Sequence, residues 1–215
     1  MNEPVPLAEE AETKRRSPET RPYDAEKSLA DILEVATAEF ADKGLAGARI
    51  DEIAAATRTS KRMIYYHFEN KEALGHAIIE EVIGQLTRQK WLSPLEAGNP
   101  VDTLIHIVQS TSTDAPEIRG GCPFNNLSQE MSPLDEGFRK RLAKILTEWR
   151  DALADAFRRG QQQGTVKEAI EPDDEAIFLI ALYEGYISLA KNSQDARLLK
   201  SGKKRMISYL ESLRA

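Results

Sequence analysis

The chain has 215 residues, 41% of them hydrophobic and 30% charged, with a formal net charge of -6 and a pI near 5.3. An acidic chain draws no nucleic-acid affinity from its bulk charge, so any such affinity must come from a local basic patch. A single cysteine rules out an internal disulfide framework, the polar N-terminus lacks the apolar segment of a signal peptide, and no run reaches the ~18 apolar residues of a membrane span, which together predict a cytoplasmic protein with no membrane partner.

Residues 1–22 hold Pro4, Pro6, Pro18 and Pro22, many charges and little that is large and apolar, and are expected to form a disordered tail. The cluster Lys14, Arg15, Arg16 with Arg21 could reach a DNA backbone or minor groove, but five glutamates in the first twenty residues favour a solvated tail. From Asp24 to Lys43, Leu29, Ile32, Leu33, Ala36 and Phe40 recur at spacings of three and four, which predicts an amphipathic helix with Gly44 as its C-cap and Gly47 in the loop beyond.

The next stretch, residues 51–71, reads DEIAAATRTSKRMIYYHFENK. Ile53 to Ala56 predicts a helix of about two turns. Thr57 to Ser60 interrupts it, and Ser60 is a good N-cap for a second helix over Lys61 to Phe68. Ile64 and Phe68 share one side of that helix, leaving Lys61, Arg62, Tyr65 and Tyr66 to face outward. Two short helices joined by a tight turn, the second basic and aromatic on its free face, describe a helix-turn-helix. No acidic residue occurs from Ile53 to Phe68, as a surface lying against phosphates requires. Leu29 to Phe40 should pack on Ile53, Ile64 and Phe68, so that residues 23–70 form a three-helix DNA-reading unit.

The pattern Ile53-Ala54, a turn, then Ser60-Lys61-x-x-Ile64-Tyr65-Tyr66-His67-Phe68 and Asn70-Lys71-Glu72-Ala73-Leu74 resembles the TetR family of bacterial transcriptional regulators. The resemblance runs in motif from about Leu29 to Leu86 and departs at two places. The family usually has Gly where this chain has Arg58, and tends to have Thr where Ile50 sits. A left-handed backbone at Arg58 would cost roughly 1 kcal/mol. The resemblance implies a homodimeric, ligand-responsive repressor, in which an effector favours a dimer whose heads no longer match the groove spacing. It also implies a phosphate contact for Lys71. That role would explain a cation at the N-terminal end of a helix, where the macrodipole disfavours it.

Asn70 should cap a long helix running to about Trp91, with a break over Ser93 to Pro100. A helix over Val101 to Asp114 follows, with Leu104, Ile105 and Val108 inward. Ala115 to Gly121 reads as a loop, leading to Cys122-Pro123 and a short helix ending near Ser132. Phe138, Leu142, Ile145, Leu146, Trp149, Leu153 and Phe157 form the longest clean stripe, opened by Asp135-Glu136 and closed by Arg158-Arg159-Gly160. Ala176 to Ala190 is apolar nearly all round, which requires cover on both sides. A last helix, about Arg197 to Leu213, buries Leu199, Met206, Leu210 and Leu213. Pairing of the last two helices with their copies in a second subunit would remove the remaining apolar surface from water. The fold class is all-α, with residues 71–215 as a ligand-binding and dimerisation domain.

No common catalytic signature occurs, and His67, His76, His106 and Cys122 lack metal-ligand spacing, so no enzyme activity, metal or cofactor is expected. In the expected complex with double-stranded operator DNA, Ser60 to His67 enters the major groove. Arg62 pairs with guanine, while Lys61, Tyr65, Tyr66 and Lys71 grip phosphates and sugars. Arg49 is a further phosphate candidate, and His67 a hydrogen-bonding or phosphate-facing one. Trp91, His106, Phe124, Asn125, Gln129, Trp149, Phe178 and Tyr183 are candidates for a small-molecule effector pocket, mixing apolar walls with few polar groups, although each could equally be ordinary core. Cys122 stands at a helix N-terminus near Arg119, as in some electrophile-responsive TetR-family repressors, and is either a redox sensor or a small buried apolar residue. The rival to all of this is a helical interaction protein with a degenerate DNA-binding head, for which Arg58 is the best support.

Overall fold

The structure, a computed structural model, describes residues 25–215. The expected tail over residues 1–22 and its basic cluster lie outside the described residues. The regular structure of the described residues is all helix, apart from one isolated antiparallel bridge between Val166 and Arg214.

Helix α1 spans Ala25–Gly47, but its regular part stops at Gly44, where the backbone turns to φ 72°, ψ 170°. Glycine suits that position twice over. The positive φ penalises a side chain, and an added Cβ would sit 2.8 Å from the Glu130 carboxylate. That carboxylate accepts from the Leu45 and Ala46 N–H groups at 2.8 and 3.0 Å. Helices α2 (Ile50–Ala56) and α3 (Lys61–His67) complete the head. Ile32, Leu33, Ala36, Phe40, Ile53, Ile64 and Phe68 form one buried cluster, with Leu29 packed at its edge.

Helix α4 opens over Lys71–Ala77, with the Asn70 side chain accepting from Ala73 N at 2.7 Å. It continues unbroken through a π-helical stretch (Ile78–Ile83), an α turn (Gly84–Thr87), a second π stretch (Arg88–Leu92) and a last turn (Ser93–Leu95). Pro94 therefore falls at the beginning of that last turn, and the helix ends beyond the expected Trp91. Helix α5, Pro100–Ser110, is shorter than its apolar pattern predicts. The Ser110 and Thr111 hydroxyls donate back to the Ile107 carbonyl at 2.9 and 3.2 Å, and Lys203 takes the Gln109 and Thr111 carbonyls at 2.8 and 2.7 Å. Such bonds occupy the acceptors that another helical turn would use.

The expected loop after it contains a helix, α6 (Ala115–Gly120). Its six residues are held by tertiary burial of Ile118 against Ala190 and Leu199, a contact invisible in local periodicity. Helix α7 follows over Pro123–Met131 and α8 over Glu136–Gln162, the latter capped by Asp135 accepting from Phe138 N at 2.9 Å. Its stripe is buried as expected except for Leu146, which lies at the edge and is exposed.

Helices α9 (Pro172–Ser193) and α10 (Ala196–Ser212) close the fold. They cross so tightly that a Cβ at Gly202 would fall 2.3 Å from the Tyr186 ring. Leu199, Met206, Leu210 and Leu213 are buried. The apolar α9 is covered on one face only, and Ile177, Phe178 and Leu189 are 45%, 46% and 55% exposed. Among the described residues no helix is long and apolar enough to cross a membrane.

Candidate functional site

The helix-turn-helix forms without the turn glycine. Arg58 takes φ 54°, a left-handed value, and the turn bonds Arg58 N to Ala55 O and Thr59 N to Ala54 O are 3.2 and 3.0 Å. The turn geometry is thus kept at a local cost of about 1 kcal/mol for a non-glycine residue. The Ser60 hydroxyl accepts from Met63 N at 3.2 Å and starts α3. Ile64 points into the core. Lys61, Arg62, Tyr65 and Tyr66 point outward, and Tyr66 is 80% exposed. Arg49, at the N-cap of α2, and Ser60 are exposed beside them.

Two carboxylates of α2 are each held by a lysine. Asp51 pairs with Lys61 at 2.6 Å, and Glu52 pairs with Lys43. His67 turns partly inward, between the Tyr66 and Phe68 rings, and its Nε2 is buried without a hydrogen-bond partner among the described residues. Lys71 has a role that local rules hide. Its ammonium donates to the Ala46 and Ala48 carbonyls at 3.1 and 3.2 Å. The cation at the wrong end of α4 is therefore at the favourable, C-terminal end of α1.

Behind the head lies a cavity of about 920 Å³ between α1, α4, α6, α7 and α9, with Trp149 of α8 in its wall. Of the sequence candidates it gathers Trp91, Phe124, Trp149 and Tyr183. Their rings interlock: Trp91 lies 4.8 Å from Trp149 and 4.7 Å from Tyr183, and Phe124 meets Trp149 edge-on at 6.2 Å. The other four lie elsewhere. His106 and Gln129 are exposed. Asn125 donates to the Ser188 hydroxyl at 2.7 Å, and Phe178 meets Tyr209 edge-on at 5.1 Å on the outer face. Periodicity marked these as polar or apolar but could not say which side of each helix the cavity occupies.

Sequence reasoning missed Lys90 and Glu184. The Lys90 ammonium donates to the Tyr183 hydroxyl at 2.6 Å and lies 5.7 and 5.1 Å from the Trp91 and Tyr183 ring centres. No local signal marked it. Glu184 had one, since it is the only charged residue between Glu175 and Lys191. It lines the cavity at 8% exposure, and burial pushes its carboxyl up to about 7. Cys122 is in the same wall. Desolvation first, and then the neighbouring Glu184, raise its thiol well above the usual cysteine range. A helix N-terminus favours a thiolate, but here it is outweighed, and Arg119 is drawn away to Asp42 at 2.9 Å.

Three contacts join the helices around the cavity to the C-terminal end of α1: Arg119 of α6 to Asp42, Lys191 of α9 to the Ala41 carbonyl at 3.3 Å, and Glu130 of α7 to the Leu45 and Ala46 N–H groups. Among the described residues no cluster of His, Cys, Asp and Glu is placed to hold a metal.

Residues 32–78 match the family of bacterial regulatory proteins described as the tetR family, and residues 101–206 match the tetracyclin repressor-like C-terminal domain. The chain is 30% identical to the HTH-type transcriptional repressor DhaR of Mycobacterium sp. (strain GP1), over 73% of this chain and 78% of that one. It is 29% identical to the transcriptional regulator AcuR of Cereibacter sphaeroides, over 78% of each. A TetR transcriptional regulator from Chloroflexus aurantiacus has a solved structure that superposes with a TM-score of 0.75 at 26% identity, over 88% of this chain and 97% of that one.

Proposed function

The chain belongs to the TetR family of bacterial transcriptional regulators and is a ligand-responsive DNA-binding regulator, and we propose that it acts as a homodimeric repressor released from a palindromic operator when a small molecule fills the cavity. The observation that carries the docking mode is the outward face of α3. A tyrosine left 80% exposed beside Arg62 and Lys61, on a helix whose opposite side is buried, is a costly surface for a free protein and a suitable one against DNA.

In this reading Arg62 reads a guanine edge, and Tyr65 and Tyr66 contact sugars and phosphates. Lys61 exchanges Asp51 for a phosphate at little cost, because an exposed ion pair is worth only ~0–1 kcal/mol. Arg49 and Ser60 lie within reach of the same strand. Lys71 keeps its two carbonyls and has one N–H left for a phosphate. His67 serves the packing of the head. The head extends to residue 70, and residues 71–215 bind the ligand and the second subunit. The exposed stripe Ile177, Phe178 and Leu189, with Leu198 of α10, is the surface that a second copy would cover.

Coupling follows from the two ties on residues 45–48. Lys71 holds that turn from α4, and Glu130 holds it from α7. Both helices also wall the cavity, α4 through Lys90 and Trp91, α7 through Phe124. A ligand that binds one spacing of α4 and α7 better than another would shift the orientation of the turn, and with it α2 and α3. Only such differential affinity can move the equilibrium. The π-helical stretches of α4 place the less regular part of that helix along this route.

Selection of bound DNA from random oligonucleotides tests the proposal. A palindrome with half-sites about one helical turn apart, or a multiple of it, is expected. Recovery of unrelated sequences by wild type, or of the same palindrome by a protein lacking Arg62 and Tyr66, would refute the docking mode. Phe178→Glu should give monomers in sedimentation and lose operator affinity. A stable dimer would place the interface elsewhere.

A further inference from the structure

The polar groups of the cavity are unequally satisfied. Lys90 already has the Tyr183 hydroxyl and two ring faces. Glu184 has no such match: it is 8% exposed, it lines the cavity, and both carboxylate oxygens are buried without a hydrogen-bond partner among the described residues. The Cys122 thiol of α7 lies beside it, a weak donor outside regular hydrogen-bond geometry, and the Lys90 ammonium of α4 acts on it through space. The indole Nε1 of Trp149, in the same wall, is also buried without a partner. Buried polar groups in folded proteins are almost always paired, and an unmatched carboxyl costs far more than the leucine that could stand there. The expense is recovered only if something entering the cavity supplies the missing donor.

We infer that the effector is an organic cation, a protonated amine on an apolar body, whose nitrogen sits on the Glu184 carboxylate while its body lies against Trp149, Phe124 and Ile187. This rests on the reading of the cavity as the effector site. The sign of the ligand charge follows from what is unmet. The buried acid that lacks a partner becomes negative when it ionises, and a ligand carboxylate would set two carboxyls side by side. The ring faces of Trp91 and Tyr183 are taken by Lys90, which leaves the carboxylate as the seat for an incoming cation. The same choice gives a pH signature. Burial holds Glu184 at about 7, so binding a cation must pull a proton off it near neutrality. The groups facing it are the Cys122 thiol, itself raised, and the Lys90 ammonium.

Both tryptophans of the chain line the cavity, so its occupancy can be read from intrinsic fluorescence. The probes are phenylalkyl ammonium ions of graded chain length, each with the carboxylate and the alcohol of matching length. The ammonium members should bind at least about tenfold more tightly than their alcohols, since a charge-assisted hydrogen bond is worth that much or more. Their binding should tighten as the pH rises from about 6 to about 8, while the alcohols stay flat. Glu184→Gln should erase the ammonium preference and keep the alcohols unchanged, and Glu184→Asp should restore the preference with a shifted optimal length. Preference for the carboxylates, or an ammonium preference that survives in Glu184→Gln, would overturn the assignment and leave the cavity as effector site. A fluorescence signal unmoved by every probe would overturn both.

Discussion

The reading head and the cavity use polar side chains in opposite ways. In the head, Lys61, Arg62, Tyr65 and Tyr66 stand on one face of a short helix, outside a core that is complete without them. They are neighbours in sequence, and water, with Asp51 for Lys61, satisfies them until a partner arrives. In the cavity, Lys90, Glu184 and Cys122 come from different helices and lie inside the fold, where burial raises the Glu184 carboxyl and the Cys122 thiol and the Tyr183 hydroxyl holds Lys90. A surface that meets a large, charged, externally supplied partner can be built locally. A site that encloses a small molecule must be assembled from distant segments, and it places its polar groups at the expense of stability. Substitutions should therefore separate the two regions: the head should lose function at constant stability, and the cavity should change stability without touching DNA contacts.

The largest effect is expected at Glu184. Its carboxyl is raised from 4.5 to about 7, so the native state favours the protonated form. The associated stability is fully present below the unfolded value and is lost as the pH rises through the folded one, roughly 3 kcal/mol at 1.36 kcal/mol per pH unit. Urea unfolding should show wild type weakening between about pH 5 and pH 8 more than Glu184→Gln does. Parallel curves for the two proteins would mean that the carboxyl is hydrated and the contrast between the regions is small.

Next comes Arg62→Ala, expected to cost ~1–3 kcal/mol at one base position in each half-site. Its unfolding midpoint should equal that of wild type, because the side chain is exposed. A drop in stability would show that the head is not complete without its reading residues. Arg58→Gly is expected to stabilise the fold by about 1 kcal/mol by relieving the left-handed backbone. If it also lowers the salt dependence of DNA binding by about one, the guanidinium touches a phosphate and the strained residue is functional. The smallest effect belongs to Tyr66→Ala, which should weaken all DNA sequences alike and leave stability within about 0.5 kcal/mol. A reagent test extends the series to the cavity. Cys122 should react with a thiol-specific alkylating agent more slowly than a free cysteine at neutral pH, because its surroundings disfavour the thiolate. Fast reaction would restore it as a sensor.

Much of the head was legible in the chain itself: the Leu29 to Phe40 stripe, the Ser60 and Asn70 caps, the free face of α3, and the left-handed strain at Arg58 all depend on residues a few positions apart. The same holds for the long stripe from Phe138 to Phe157 and its Asp135 cap. Local spacing dictates helical faces and caps because a helix repeats every few residues. Tertiary structure alone decided the rest. It made α6 a helix through burial of Ile118 and stopped α5 at Ser110 through Lys203. It turned Lys71 from a misplaced cation into the tie on α1, and put His106, Asn125, Gln129 and Phe178 away from the cavity. It brought Glu184, Lys90 and Cys122, up to 94 positions apart in the chain, into one wall. Burial, partner and pKa are properties of what lies across a gap between helices, and no pattern along one helix carries them.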